Sequence, residues 1–323
     1  MKRKRKNTLR AKVFASLVMQ RALAVGIGSA LIIAPTAVSR AQQETDSAKA
    51  VRHNAAAASL AKAAQNPVAN MVSLPLQYNF ITAGGLNENT ARILNVQPVL
   101  PLPIGEKWLI VSRTVVPFVS LPLETGLPSG GVVGLRSGGI ADIQEQAYFT
   151  ASKPGKITWA IGPIFSCPTA SSVLARTGQW GLGPTAVALV MPGPWVIGIL
   201  ANNIWRIGGA AHRDVLNTFT VQPFINFNLP HAWAISTAPL ITSNWSAPSG
   251  QRWTVPLGLG ISKVTHIVDQ PFNLIAQYYH NVDHPNRSGS EQLRLEVAAL
   301  WPTAAAEAAR KKEAKAEATK KKE

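Results

Sequence analysis

The stretch NTFTVQPFINFNLPHAW, Asn217 to Trp233, decides the fold. Taken two residues at a time, Thr218, Thr220, Gln222, Asn226 and Asn228 fall on one parity. Phe219, Val221, Pro223, Ile225, Phe227 and Leu229 fall on the other, and only Phe224 interrupts the polar set. A β-strand sends alternate side chains to opposite faces, so this segment has one wet face and one apolar face. The question is whether the apolar face meets protein or lipid.

Other segments repeat the pattern. Leu293, Leu295, Val297, Ala299 and Trp301 oppose Gln292, Arg294 and Glu296. Trp253, Val255, Leu257, Leu259 and Ile261 oppose Arg252, Thr254, Gly258, Gly260 and Ser262. Asp142, Gln144 and Gln146 form a polar row beside Ile143, Ala147 and Phe149, with Glu145 on the wrong side. Residues 107–120 and 180–190 alternate poorly and leave their inward faces unassigned. Between Met71 and Trp301 about twelve such runs follow one another, with no sustained helical spacing. Short turns (103–107, 153–156, 191–194, 229–231, 268–270) alternate with longer connections, of which 121–138 is the longest. That rhythm belongs to an up-and-down sheet whose two ends differ, as in outer-membrane barrels with tight periplasmic turns and long outer loops.

Tryptophan gives the height. Trp108, Trp159, Trp195 and Trp233 follow short turns, and Trp301 closes the last strand. Trp180, Trp205, Trp245 and Trp253 sit beside the long loops. Trp195 and Trp205 are ten residues apart. At ~3.3 Å per residue and a tilt of ~40°, ten to twelve residues span roughly 25–30 Å, the height of a lipid-facing band between aromatic girdles. A soluble sandwich with buried tryptophans has no reason to place them at both strand ends. The expected partner of the apolar faces is therefore lipid, with Phe219 and Ile225 near mid-depth. Pro98, Pro117, Pro163, Pro184, Pro223, Pro239 and Pro256 run against this, because each removes a ladder hydrogen bond inside a closed sheet; bulges or bends are the expected accommodation.

The chain opens on MKRKRKNTLRAKVFASLVMQR, then an apolar run from Ala22 to Val38, then Ser39-Arg40-Ala41. These are the charged region, apolar region and cleavage site of a secretory signal peptide over residues 1–41. Residues 42–70 are Ala-rich and read as a periplasmic leader, helical or disordered, with a plug folded into the lumen as the alternative. Residues 71–301 are the barrel and 302–323 a Lys/Glu-rich tail. The whole chain carries 32 Lys and Arg against 16 Asp and Glu. Nine of the basic residues precede Gln42, leaving 23 against 16, and the tail holds +3 of that +7. No basic patch interleaved with aromatics survives, which excludes nucleic acid as a partner. Cys167 is the only cysteine, so there is no internal disulfide and no lipid-modified cysteine behind the cleavage site.

If the apolar parity faces out, the lumen candidates are Asn95, Gln97, Asp142, Gln144, Gln222, Asn226, Arg252, Asn273, Gln277, Arg294 and Glu296. An amide-rich lining with balanced charges suits small polar or amphipathic solutes, and a barrel of about twelve strands lies between filled small barrels and open porins. No catalytic set is expected. His212 near Asp214, and His280 and His284 around Asp283, are the only gestures toward one, and they read as solvated loop residues rather than a metal site or a hydrolase centre. No Gly-rich phosphate loop or zinc spacing is present, so neither cofactor nor metal is expected.

The segments LAKAAQNPVANMVSLPLQYNF, ILNVQPVLPLP, GIADIQ, KPGKITWAIGPIF, QWGLGPTAV, PGPWVIGILANNIW, VQPFINFNLP and RWTVPLGLGISKV carry a resemblance. Together they are similar to the outer-membrane transporter-like β-barrel family named for the MetA pathway of phenol degradation, whose members are often mislabelled neuromedin U. The resemblance covers residues 60–301. It implies an all-β fold: a single-chain, antiparallel, up-and-down transmembrane β-barrel in the bacterial outer membrane. It also implies transport of small solutes, aromatic or amphipathic ones among them, and no catalytic residues. The competing readings are a structural or adhesion barrel and an outer-membrane hydrolase. The implied partners are outer-membrane lipid, the solute, and a barrel-assembly machinery that reads the last strand and Trp301. Two features depart from the pattern. Glu145 stands where the Gln-Pro motif (Gln97-Pro98, Gln222-Pro223) would put proline, and a Lys-rich tail follows Trp301-Pro302.

Overall fold

The computed structural model describes residues 56–82, 90–122, 136–153, 155–210, 214–268, 270–286 and 288–303. The expected signal peptide, the first part of the expected leader, the tail beyond 303, His212 and most of the longest loop lie outside them. Fifteen strand segments follow in chain order: β1 (Met71–Thr82), β2 (Ala91–Val96), β3 (Val99–Ile104), β4 (Trp108–Pro122), β5 (Arg136–Ile140), β6 (Ile143–Ala151), β7 (Ile157–Cys167), β8 (Gln179–Val190), β9 (Trp195–Gly209), β10 (Asn217–Asn228), β11 (Trp233–Thr237), β12 (Ile241–Asn244), β13 (Trp253–Ile267), β14 (Gln270–Asp283) and β15 (Glu291–Pro302). The pairs β2/β3, β5/β6 and β11/β12 are each one stave with a short interruption, so the barrel has twelve staves. Every pairing is antiparallel between neighbours, and β1 closes on β15, from Met71 opposite Pro302 to Thr82 opposite Glu291. Closure leaves no sheet edge, which is what lipid requires of a β-structure.

The interruptions explain the prolines. Pro75 faces the break at Gln97-Pro98, where the Gln97 amide still donates to the Pro75 carbonyl at 2.9 Å. Pro117 faces the break at Ala141-Asp142, and Ala141 donates to its carbonyl at 2.8 Å. Pro223 faces the β11/β12 gap that holds Pro239. Pro163 and Pro184 oppose each other directly, and Pro256 lies at a register shift. A residue with no N–H costs a closed ladder little where its neighbour is already broken, bulged or also proline.

Outside and inside follow the parity of the opening stretch. Ile225 is 42% exposed, while Phe224 and Asn226 face inward and are buried. All nine predicted girdle tryptophans point outward from strand ends; eight are exposed and Trp253 is half-buried. At the short-turn end Trp108 stacks on Phe149 with centroids 4.7 Å apart, and Lys263 lies over the Trp233 ring. At the other end Phe219, Trp245 and Trp253 form one aromatic patch. This corrects one expectation. Phe219 belongs to the outer girdle, and Ile225 lies two residues from Phe227, which packs on Trp195. Because Trp195 pairs with Phe227 and Trp205 with Asn217, mid-depth falls at Leu200 opposite Gln222. The lipid-facing residue there is Ile199.

The described part of the leader is not loose. Residues 56–64 form a helix, and Leu60 and Ala61 are each 2% exposed. They pack with Met71, Ala232, Val264, Ala298 and Leu300, inward-facing residues at the short-turn end of the barrel. The sequence hides this because alanine marks no strong apolar face, so amphipathic periodicity has little to read. Val68 continues into a second cluster with Val99, Leu109, Val111, Val187, Leu189, Leu200 and Phe224, which fills the opposite wall of the lumen. Four of them, Leu109, Val111, Val187 and Leu189, lie on the two strands whose inward faces the sequence could not assign. Their inward face is apolar toward the short-turn end, so both parities look alike.

Candidate functional site

Above the helix the lumen carries a belt of hydrogen bonds among inward-facing groups of several staves. Arg294 on β15 donates from Nε to Asn79 Oδ1 on β1 at 3.3 Å. Gln77 Nε2 donates to the same oxygen at 3.2 Å, and Gln97 Nε2 donates to Gln77 Oε1 at 3.3 Å. Arg113 on β4 then bridges onward, from Nη2 to Gln97 Oε1 at 2.5 Å and from Nη1 to Gln146 Oε1 at 3.4 Å. Tyr148 donates to Gln146 at 2.6 Å and accepts from Thr185 on β8 at 3.1 Å. In the other direction Arg294 Nη1 reaches the Ala238 carbonyl at 2.8 Å and Gln277 Oε1 at 3.4 Å. Gln222 donates to that carbonyl too, at 3.1 Å.

The Gln-Pro motif thereby acquires a local cause. In Gln97-Pro98 and Gln222-Pro223 the strand alternation turns the amide inward and the proline outward. The proline sits at a ladder defect, and the glutamine amide spans the gap on the lumen side. A cavity of about 180 Å³ lies against this belt, with Arg113, Arg294, Glu296, Gln97, Gln222, Gln277, Asn226 and Asn273 in its wall. Residues Gln65, Asn66 and Pro67 of the leader line it as well.

Of the eleven lumen candidates, seven line this one cavity: Gln97, Gln222, Asn226, Asn273, Gln277, Arg294 and Glu296; Asn95 faces inward across from Gln77, on the same stave as Gln97, but is not in the cavity wall. Gln144 shares the inward parity of Gln146 and Tyr148 on β6 but is not in the cavity wall. Two candidates are elsewhere. Arg252 is exposed in the loop before β13, where Nε donates to the Ala247 carbonyl at 2.8 Å. Alternation carried past the strand end assigns it a face that the loop does not keep. Asp142 occupies a strand break rather than a stave, and its carboxylate holds the 168–178 loop: it accepts from Ala170 N at 3.0 Å, Thr177 N at 3.0 Å and Thr177 Oγ1 at 2.5 Å. Buried Ser172 of that loop bonds Ser137 of β5 at 3.0 Å. Asp142→Ala leaves two loop amides without acceptors and is expected to cost about 1–3 kcal/mol of loop anchoring. Faster tryptic cleavage after Arg176 is the measurement, and an unchanged cleavage rate would refute the anchoring role.

Sequence reasoning missed Arg113, Gln77, Asn79 and Tyr148, and it placed Gln146 in a polar row without counting it among the lumen candidates. For Arg113 one signal was available: it is the only ionisable residue of β4, so a lipid-facing place was improbable. Glu145 behaves as its parity requires. It lies on the outward row, where its two carboxylate oxygens accept from Ser112 Oγ at 2.6 Å and Thr114 Oγ1 at 2.5 Å. The remaining gestures toward chemistry resolve into pairs. Nδ1 of His280 lies 2.7 Å from Glu291, which also accepts from Tyr278, and His284 sits against the Pro285 carbonyl.

A closed twelve-stave barrel with an apolar exterior, two aromatic girdles and a polar lumen defines a transmembrane β-barrel. No protein-family model matches the sequence, and no curated protein matches it. Among solved structures the chain is similar to the COG4313 outer membrane channel from Pseudomonas putida F1, at 10% identity and a TM-score of 0.53, over 72% of this chain and 96% of that one. It is also aligned with the NanC porin at 9% identity and a TM-score of 0.44, over 71% and 98%. Only the first is close enough to bear on the fold, and it agrees with the barrel.

Proposed function

We propose that this protein is a bacterial outer-membrane channel that passes small solutes through the barrel lumen and performs no catalysis. The observation that carries the reading is the hydrogen-bonded belt of amides and guanidiniums facing a cavity inside a lipid-facing barrel. A barrel used only as an anchor or adhesin could fill its lumen with apolar side chains, as this one does along one wall. It has no need to keep two arginines and several amides around a space. The channel named in the similar structure supports the reading, as do the sequence segments similar to the MetA-pathway barrel family. Export through the N-terminal signal, with cleavage near Ala41, and delivery to the barrel-assembly machinery belong to the same proposal.

The test is single-channel recording of the chain from Gln42 onward, refolded and inserted in a planar bilayer. Stepwise conductance is the expected result. A folded barrel that conducts neither with its leader nor without it overturns the channel reading.

A further inference from the structure

We infer that the cavity between the belt and the leader is a binding site for a small organic acid: a single carboxylate carried on an apolar body. The inference rests on the lumen being the solute path and names the class of solute. Arg113 and Arg294 both line the cavity, and Arg294 is only 3% exposed. Every side-chain hydrogen bond that either makes goes to a neutral oxygen: amides of Gln97, Gln146, Asn79 and Gln277, and the Ala238 carbonyl. Neither forms an ion pair, since the one ion pair among the described residues joins His280 and Glu291. The only acidic group in the same wall is Glu296, which makes no ion pair with either guanidinium, so an anion brought to them gains a charge-assisted, bidentate contact.

Glu296 limits what that anion can be. Its carboxylate also lines the cavity, with no hydrogen bond and no ion pair among the described residues. With Glu296 ionised, two guanidiniums and one carboxylate leave the wall at +1. A monoanion neutralises it, whereas a dianion such as a phosphate monoester would meet Glu296 with charge to spare. The facing wall supplies the other half of the ligand. Val99, Leu200 and Phe224 present apolar surface, and Phe224 lies over Gly198, where a Cβ would collide with its ring. Pockets for drug-sized ligands run to roughly 300–1,000 Å³. At about 180 Å³ this cavity takes something smaller.

The test is isothermal titration calorimetry of the chain from Gln42 onward in detergent micelles, with benzoate, its neutral counterpart benzyl alcohol and its cationic counterpart benzylamine. Benzoate should bind about tenfold or more tightly than either, and Arg113→Gln and Arg294→Gln should each remove that preference. Because Arg294 is built into the belt, its loss alone could reflect misfolding. Glu296→Gln, compared with the unsubstituted chain at a pH high enough to ionise Glu296, answers this, since it raises the wall from +1 to +2 and should strengthen benzoate binding several-fold, a gain that a damaged barrel does not produce. Equal binding of benzoate and benzyl alcohol, or no gain in Glu296→Gln, overturns the inference. Binding and conduction are read separately. A conducting barrel indifferent to benzoate sinks the inference alone, and a benzoate-binding barrel that never conducts sinks the channel reading alone.

Discussion

Replacing Ile199 with arginine is expected to destabilise the barrel by about 2–4 kcal/mol, because its side chain meets acyl chains at mid-depth. Ile199 is 46% exposed on the outside of β9 and lies opposite Pro223, one residue from the Leu200–Gln222 pair that marks the midpoint between the tryptophans. Phe219→Arg is the control at the rim. A cation beside the headgroups costs only about 0–1 kcal/mol, to which the lost packing on Trp245 and Trp253 adds about 0.5–1.5 kcal/mol. Gln222→Arg is the control on the other face, where the new charge meets the wet cavity and should be milder than Ile199→Arg. Equilibrium unfolding by denaturant in lipid vesicles orders the three. Equal losses for Ile199→Arg and Gln222→Arg would show that outside and inside have been exchanged.

Deleting residues 42–66 is expected to raise single-channel conductance several-fold. The helix over 56–64 stands in the short-turn mouth, and Leu60 is its only large buried side chain. Among its polar ties, Lys62 donates to the Gly193 carbonyl, and the Gln65 and Asn228 amides exchange hydrogen bonds of 3.0 and 3.1 Å. Burial of one leucine contributes about 1.5–3 kcal/mol, so the segment is held firmly enough to obstruct and weakly enough to release. It also leaves a second space of about 340 Å³ against Leu109, Thr158 and Met191, so even the closed mouth is not solid. Leu60→Asp in the intact chain should move conductance in the same direction by weakening the apolar seat. Unchanged conductance in both variants would rule the helix out as the obstruction.

The segments that were easiest to read are those with water or lumen amides on one side and lipid on the other. In β10, Phe224 apart, and over residues 291–297 of β15 the two faces differ in chemistry, so a period of two is visible without any neighbour. In β4 and β8 the inward face changes character partway, from Leu109 and Val111 to Arg113, and from Leu189 and Val187 to Thr185. Alternation fails there because two different interiors share one strand. Strand ends were the other weakness. Arg252 and Asp142 keep the right parity for lumen residues, but one lies past a strand end and the other in a break, where backbone geometry no longer enforces alternation.

By itself the sequence determined that this chain is a β-barrel in lipid. Alternation and the girdle tryptophans are local properties, fixed by the pleat of a strand and the thickness of a bilayer, and they need no knowledge of which strands touch. Only the tertiary structure decided the interior. Arg113 and Arg294 join one belt although 181 positions separate them, because β1 closes on β15 and leaves only the β1 and β2/β3 staves, with Asn79, Gln77 and Gln97, between them. The prolines find their matching breaks across the sheet, and an alanine-rich leader finds Val264 and Leu300 inside the mouth. Those are contacts between distant positions, and no pattern within one strand encodes its neighbour's register.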